Sequence, residues 1–151
     1  MSYVNGQLEV EAGLPASALH GTIGAEAYEP GEPPTTIFDI NDLVEVKVDW
    51  TLTGTLARMI CGTWQCDLYL ESIGKGEEFE VEGCTVDLAS SSNGQYSCII
   101  PIPAGRVRPA PGETDIAYKM VVSVTYRDRG GRPGPIAGFV ELPMVQYYLD
   151  A

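Results

Sequence analysis

Apolar and polar residues alternate one for one in several segments of the chain. In residues 44–53 every even position is apolar, and every odd position is charged or carries a hydroxyl group. Residues 116–126 repeat the pattern, with apolar or aromatic side chains at every even position. Successive side chains of a strand point to opposite faces of a sheet. Each segment is therefore predicted to be a strand with one face in a core and the other in solvent.

Seven strands are predicted after residue 34, and together they indicate an all-β fold. They span about residues 35–40, 44–53, 63–73, 78–88, 93–102, 116–126 and 136–148. One helical turn is predicted within the connection 54–62. Several short strands separated by Gly-rich and Pro-rich turns are typical of a sandwich or barrel. We predict a seven-stranded antiparallel β-sandwich of the immunoglobulin or fibronectin type III kind.

Two of these strands carry local signals of their own. The fourth changes parity, since Phe79 and Val81 are odd whereas Cys84 is even, and a bulge at Gly83 is predicted to restore the register. The fifth contains Pro101, which lacks the N–H group that a central strand would use. Proline within a sheet is confined to edges and bulges, so the fifth strand is predicted to lie at an edge.

The first 34 residues give weaker strand signals than the rest. They are rich in Gly, Ala, Pro and Glu and end in Pro33 and Pro34, and only residues 7–10 and 19–23 alternate like strands. Proline cannot donate to a β-ladder and biases the residue before it to extended geometry. We predict an extended N-terminal arm over residues 1–34, followed by a β-sandwich domain over residues 35–151. The arm is expected to lie on the sandwich or to reach a neighbouring molecule.

The segment 92–98 resembles the D-x-G-x-Y-x-C run of immunoglobulin domains. It matches that run at Gly94, Tyr96 and Cys98. In that family the tyrosine hydroxyl bonds back to the chain and the cysteine bridges the two sheets. The expected partner cysteine is absent from strand 44–53, and two long strands follow Cys98 where the family has one. Residues 94–96 with 102–105 resemble more closely the fifth strand of bacterial immunoglobulin-like modules, and fold by itself implies no function.

The length and charge of the chain restrict the classes of function. With 151 residues it is predicted to be one globular domain, and its net charge is −12. Phosphate backbones are bound by clustered Lys and Arg, so neither nucleic acid nor an anionic membrane is an expected partner. No stretch reaches the about 20 apolar residues that span a bilayer, and no ordinary secretory signal is seen. Localisation is predicted to be cytoplasmic, or outside the cell by export without a classical signal peptide.

The four cysteines allow two interpretations. Cys66, Cys84 and Cys98 all fall on the inward parity of strands, where a reduced cysteine behaves as a small apolar side chain. A disulfide between Cys84 and Cys98 is the alternative for a protein that works outside the cell. The closest pair, Cys61 and Cys66, has a longer spacing than structural zinc sites use. We predict neither a metal nor a cofactor.

No catalytic constellation is recognisable in the sequence. His20 is the only histidine, and it lies in the predicted arm instead of beside a nucleophile. Glu78, Glu80 and Glu82 form one outward row of a strand, whereas calcium needs oxygens that converge from loops. The chain is predicted not to be an enzyme.

Two surfaces are candidates for binding a partner protein. The loop after the sixth strand carries Arg127, Arg129 and Arg132, and Arg58 lies in the loop expected at the same end of the sandwich. Arginine offers bidentate hydrogen bonds to carboxylates, and residues 1–46 contain acids but no Lys or Arg. The second candidate is the last strand, in which both faces read as apolar. Its odd positions include Phe139, Val145 and Tyr147.

The function predicted from these features is binding. We expect a non-enzymatic structural or adaptor subunit that contacts protein partners in a homo-oligomer or larger assembly. An accessory subunit of a phage-like particle or an injection machine would fit. The alternative is a carbohydrate- or cell-surface-binding module that uses Tyr69, Trp64 or Tyr147 as a stacking platform. A hydrolase ranks last, because no rigid acid–base pair is identified.

Overall fold

The computed structural model describes residues 3–10 and 13–149, and ten strands form within them. The strands are β1 (Val4–Gln7), β2 (His20–Tyr28), β3 (Ile37–Asp39), β4 (Val44–Thr53), β5 (Thr63–Ile73), β6 (Phe79–Asp87), β7 (Gln95–Ile102), β8 (Asp115–Arg127), β9 (Pro133–Glu141) and β10 (Val145–Tyr148). Short 3-10 helices span Ala57–Met59 and Leu88–Ser90. The first of them is the helical turn expected between β4 and β5.

The strands form two sheets. One has four strands in the order β1-β2-β4-β7, and the other has six, in the order β3-β10-β8-β5-β6 with β9 also paired to β8. All pairs are antiparallel apart from β3 with β10. The predicted all-β sandwich is confirmed, with ten strands instead of seven.

The inward rows of the two sheets make the core, as the alternation predicts. In β4 the even positions are buried, and Trp50 is in contact with Trp64 of β5 across the two sheets, with 6.2 Å between ring centroids. In β8 the even positions from Ile116 to Tyr126 are buried in the same way. Each such side chain contributes roughly 1.5–3 kcal/mol when it leaves water, so the core dominates the stability of the fold.

The predicted N-terminal arm is instead part of the sandwich. Within its described residues, β2 lies between β1 and β4 and pairs with β4 from His20 to Tyr28. Gly21 and Gly24 weaken the strand signal of this segment, yet both are buried beneath other groups. A Cβ atom at Gly21 would stand 2.5 Å from Leu8 Cδ1, so glycine lets the chain pass close to β2. Tertiary packing therefore makes a strand of a sequence with little propensity for one.

The strand predicted over residues 136–148 is two strands. β9 and β10 pair one after the other with the same side of β8. The residues between them include Pro143, which cannot donate to the ladder. Inward positions are even in β9 and odd in β10, since Val140 and Leu142 are buried on one side of this break and Val145 on the other. The prediction that both faces of one strand are apolar was therefore wrong.

The structure contains the disulfide that was the alternative interpretation of the cysteines. A disulfide joins Cys84 of β6 to Cys98 of β7, with 5.9 Å between their Cα atoms, so it links the edges of the two sheets. The interpretation of Cys84 and Cys98 as reduced core thiols was wrong because these two edges lie side by side. Cys66 is a free thiol in the core, and Cys61 is free and exposed.

The two local strand predictions are confirmed. The pairing of β5 with β6 shifts after Cys66, which lies opposite Cys84, whereas Asp67 lies opposite Glu82. Gly83 is the extra residue that this bulge accommodates. β7 ends the order of the four-stranded sheet, so Pro101 is on an edge strand as expected.

Candidate functional site

One end of the sandwich carries three loops that converge around a cleft. The loops connect β4 to β5, β6 to β7 and β8 to β9, and antiparallel strands bring them to the same end. The cleft has a volume of about 1070 Å³. Among its lining residues are Arg58, Cys61, Asp87, Ser92, Asn93, Tyr96, Asp128 and Arg129. We call this site the arginine cleft.

The floor of the arginine cleft rests on a rigid group of aromatic side chains. Tyr96 lines the cleft and stacks on Trp50 at 6.0 Å, and it also contacts Trp64 at 5.7 Å between ring centroids. Its hydroxyl donates a hydrogen bond to the carbonyl oxygen of Leu88, 2.9 Å away. Tyr126 packs edge-on against Trp64 and donates to the carbonyl oxygen of Cys61. The loops thus start from fixed positions on the core.

The carboxylates of the cleft are engaged by their own loops. Asp87 Oδ1 accepts a hydrogen bond from the Ala89 N–H group at 2.8 Å. Asp128 Oδ1 accepts from the N–H groups of Gly130 and Arg132, at 2.9 and 3.0 Å. These bonds shape the turn after β6 and the hairpin between β8 and β9. Both carboxylates therefore accept hydrogen bonds from backbone N–H groups and hold the loops in place.

The two arginines of the cleft are left with exposed guanidinium groups. Arg58 and Arg129 come from different loops, and neither forms a salt bridge within the described residues. By contrast, Lys119 is paired with Glu141 at 3.0 Å, and Arg106 with Glu77 at the same distance. The cleft therefore presents two guanidinium groups without an ion-pair partner among the described residues, beside the carboxylates of Asp87 and Asp128.

The arginines predicted to act together are at the same end of the molecule but face different surroundings. Arg58 and Arg129 line the cleft, whereas Arg132 is exposed on the hairpin. Arg127 Nη1 donates to the carbonyl oxygen of Gly131 at 3.1 Å. Arg127 also borders a separate shallow groove with Gln65, Asp67, Glu80 and Glu82. The binding role of all four remains a prediction.

The three apolar site residues from the last predicted strand are not on one face. Phe139 is 64% exposed on the outer face of β9. Val145 and Tyr147 are 1% and 2% exposed, and Tyr147 packs against Phe38 in the core. The change of parity at Pro143 turns these two side chains inward. Their assignment to a partner surface was therefore wrong, and Phe139 alone stays available.

The stacking platform expected for a carbohydrate module is mostly buried. Trp64 and Tyr147 belong to the core, as the alternation already indicated for Trp64, and Tyr69 is exposed on the outer face of the six-stranded sheet. Of the three residues only Tyr69 is therefore available to stack on a glycan, and the carbohydrate-binding alternative stays a prediction.

Sequence reasoning missed the polar loop between β6 and β7. Ser91, Ser92 and Asn93 line the cleft, and Ser91 Oγ and Asn93 Oδ1 both accept from the Gln95 N–H group, at 3.1 and 3.2 Å. The run of serines before Asn93 and Gly94 marks a turn in the sequence. Its place beside Arg58 and Arg129 depends on contacts between residues far apart in the chain, which no local pattern records.

The opposite end of the molecule is acidic. Its loops carry Glu29, Glu32, Asp39 and Asp42, and the two ends are separated by the ten residues of β4, about 33 Å at 3.3 Å per residue. Burial of its carboxyl group raises the pKa of Glu29, and the nearby carboxylates of Asp42 and Glu32 raise it further. Like charges are therefore crowded at this end.

Two other kinds of site are absent from the described part of the chain. No group of three or more His, Cys, Asp or Glu side chains is arranged to hold a metal ion. No helix among these residues is long and apolar enough to cross a bilayer.

Comparisons with known proteins return little. The chain matches no protein-family model, and no curated protein matches it in sequence. Among solved structures it is similar to AggA, the major subunit of aggregative adherence fimbriae type I (AAF/I) from Escherichia coli. The identity is 7% and the TM-score 0.35, over 86% of this chain and 95% of that one. Similarity at this level assigns neither a family nor a function to the chain.

Proposed function

We propose that the protein is a non-enzymatic structural or adaptor subunit that acts through protein–protein contacts in a homomeric or larger assembly. The observation that carries the proposal is the arginine cleft. Two guanidinium groups from separate loops, Arg58 and Arg129, are exposed in one cavity without an ion-pair partner among the described residues.

The chemistry of the cleft suits a protein partner with an acidic surface. Arginine binds carboxylates through two parallel hydrogen bonds and is enriched, with tyrosine, at the centres of protein interfaces. Ser92 and Asn93 add hydroxyl and amide groups at the rim. The disulfide and the aromatic floor hold the loops, so little conformational entropy is lost on binding.

The proposal is tested with a pair of baits purified to the same state. The unaltered chain and the variant R58E/R129E are immobilised, and extracts of the native cell are passed over both. We expect a partner that the unaltered chain retains and the variant loses, with a defined stoichiometry in cross-linking. Light scattering on the isolated chain then separates self-assembly from assembly with another protein.

The control is the K75E/R108E variant, which reverses two exposed basic residues at the opposite end of the molecule and changes the net charge by the same amount. It should retain the partner to a similar extent. Equal retention by the unaltered chain and by R58E/R129E would contradict the proposal, as would a chain that stays monomeric and retains no protein. Circular dichroism should show the same melting curve for all chains, because the reversed residues are exposed.

A further inference from the structure

The structure offers a segment of the same chain that complements the arginine cleft. Residues 29–34, which we call the acidic turn, connect β2 to β3 at the opposite end of the molecule. The turn carries Glu29 and Glu32, and its residues from Pro30 to Pro34 are exposed. It therefore presents carboxylates on a projecting loop, whereas the cleft presents two arginines without an ion pair among the described residues.

The acidic turn is rigid for its size. The Glu32 N–H group donates to the carbonyl oxygen of Glu29 at 2.9 Å, and Gly31 has φ of 84°. Proline at the second position and a glycine with positive φ at the third are the signature of a type II turn. Pro33 and Pro34 fix the backbone that follows. A preformed turn loses little entropy when it binds.

A cationic neighbour would stabilise the carboxylates of the acidic turn. Burial of its carboxyl group raises the pKa of Glu29, and the nearby carboxylates of Asp42 and Glu32 raise it further. A guanidinium group placed beside these carboxylates would relieve their repulsion. On the loop between β7 and β8 at this end, Arg106 is already paired with Glu77 and lies 3.7 Å over the ring of Phe79, whereas Arg108 is exposed.

The cleft and the turn of one molecule cannot meet. They lie at opposite ends of strands that are about 33 Å long, so any contact between them joins two copies. A contact between two different surfaces is heterologous, and its repetition produces a ring or an open chain. The partner that the proposed function leaves open would then be a second copy of the chain.

We propose that the acidic turn of one copy docks into the arginine cleft of the next, so that the chain assembles head to tail. Glu29 and Glu32 would face Arg58 and Arg129 across this contact. The inference rests on the proposed function as a structural subunit and specifies its partner as a second copy of the chain.

The test is a set of charge reversals measured by sedimentation velocity at high micromolar concentration. The chains are R58E/R129E, E29K/E32K and the chain with all four substitutions. We expect the unaltered chain to form oligomers that grow with concentration and shrink as salt is raised above about 0.15 M, since screening weakens charge contacts. Each double variant should associate at least about tenfold more weakly, because like charges would then face each other. The fourfold variant should recover association.

The matched control is E80K/E82K, which changes the net charge as much as E29K/E32K does. Glu80 and Glu82 are exposed on β6, away from both ends of the contact. This control should associate like the unaltered chain. Equal loss in the control would show that net charge decides association, and that outcome would overturn the inference.

Three further results would also overturn it. These are double variants that associate like the unaltered chain, a fourfold variant that is folded but monomeric, and an unaltered chain that is monomeric throughout. The native-extract experiment separates these failures from a failure of the proposed function. A monomeric chain that still retains a different protein through Arg58 and Arg129 would end the head-to-tail inference and leave the subunit role in place.

Discussion

At the scale of single residues, Tyr96 connects the core to the candidate site. Its ring stacks on Trp50, its hydroxyl bonds to the Leu88 carbonyl oxygen, and its edge borders the arginine cleft. The hydrogen bond back to the chain is the one that the resemblance to immunoglobulin domains implied for this tyrosine. It spans eight residues and holds the start of the loop that carries Ser92 and Asn93.

Removing that hydroxyl group should destabilise the fold modestly. In Tyr96→Phe the buried carbonyl oxygen of Leu88 loses its partner, and we expect the free energy of unfolding to fall by about 1 kcal/mol. Urea denaturation followed by tryptophan fluorescence measures the change. Tyr69→Phe, at an exposed tyrosine, is the control and should shift stability by less than about 0.5 kcal/mol. Equal effects at the two positions would show that the Leu88 bond contributes nothing.

The four cysteines should differ in reactivity. Burial raises the pKa of the Cys66 thiol to about 12, so it stays protonated at neutral pH, whereas Cys61 is exposed. Because the thiolate is the reactive form, a thiol reagent should modify one cysteine per native molecule and a second after unfolding. Cys84 and Cys98 should react only after reduction. Four reactive thiols in unfolded, unreduced protein would show that the disulfide is absent.

At the scale of elements, two breaks in parity decide which side chains reach the core. The first, at Gly83 in β6, is readable because Phe79 and Val81 are odd and Cys84 is even. The second, at Pro143, is harder to read because Phe139 and Met144 are apolar although both are exposed. When apolar residues occur at both even and odd positions, alternation no longer says which positions face inward. For this reason Val145 and Tyr147 were predicted to lie on a partner surface, although both are buried.

The bulge in β6 should tolerate no side chain. In Gly83→Ala the new Cβ atom would meet the backbone of Cys66, which cannot rotate away, and would stand 2.9 Å from Ile100 Cδ1. We expect a loss of about 1–3 kcal/mol in the free energy of unfolding, the usual cost of overpacking.

The matched control is Gly6→Ala in β1, where the new Cβ atom would be 3.4 Å from a side-chain atom of Val140. That distance is ordinary contact, so the control should lose less stability than Gly83→Ala. Thermal and urea melts of the two variants make the comparison. A Gly83→Ala variant as stable as the parent would show that the bulge can relax.

At the scale of the whole molecule, the charged residues are unevenly distributed between the two ends. Arg58, Arg127, Arg129 and Arg132 lie at one end of the sandwich, and Glu29, Glu32, Asp39 and Asp42 lie at the other. The sequence shows the two groups as an acidic first third and a basic late loop. Only the strand order shows that they occupy opposite ends, so any attraction between them joins two copies.

The net charge leads to a prediction about nucleic acid. A chain with charge −12 should repel duplex DNA over most of its surface, and four arginines near one end release few counterions. We expect no shift of a DNA duplex in gel electrophoresis at about 0.15 M salt. A specific shift that R58E/R129E abolishes would instead identify the arginine cleft as a nucleic-acid site.

The sequence by itself determined the fold class and most of the strands. β4 and β5 lie within the predicted bounds because strict alternation over ten residues leaves one face for the core. The bulge at Gly83 and the edge position of Pro101 follow from the same local rules. These features depend on residues that are neighbours in the chain, so the sequence alone is enough to predict them.

The tertiary structure decided what no local pattern contains. It placed β2 inside a sheet although its glycines weaken the strand signal, and it brought Cys84 beside Cys98 across two sheet edges. It also joined Arg58 to Arg129 in one cleft. Each of these depends on segments distant in sequence that meet only when the two sheets pack, because burial of the shared core fixes their relative positions.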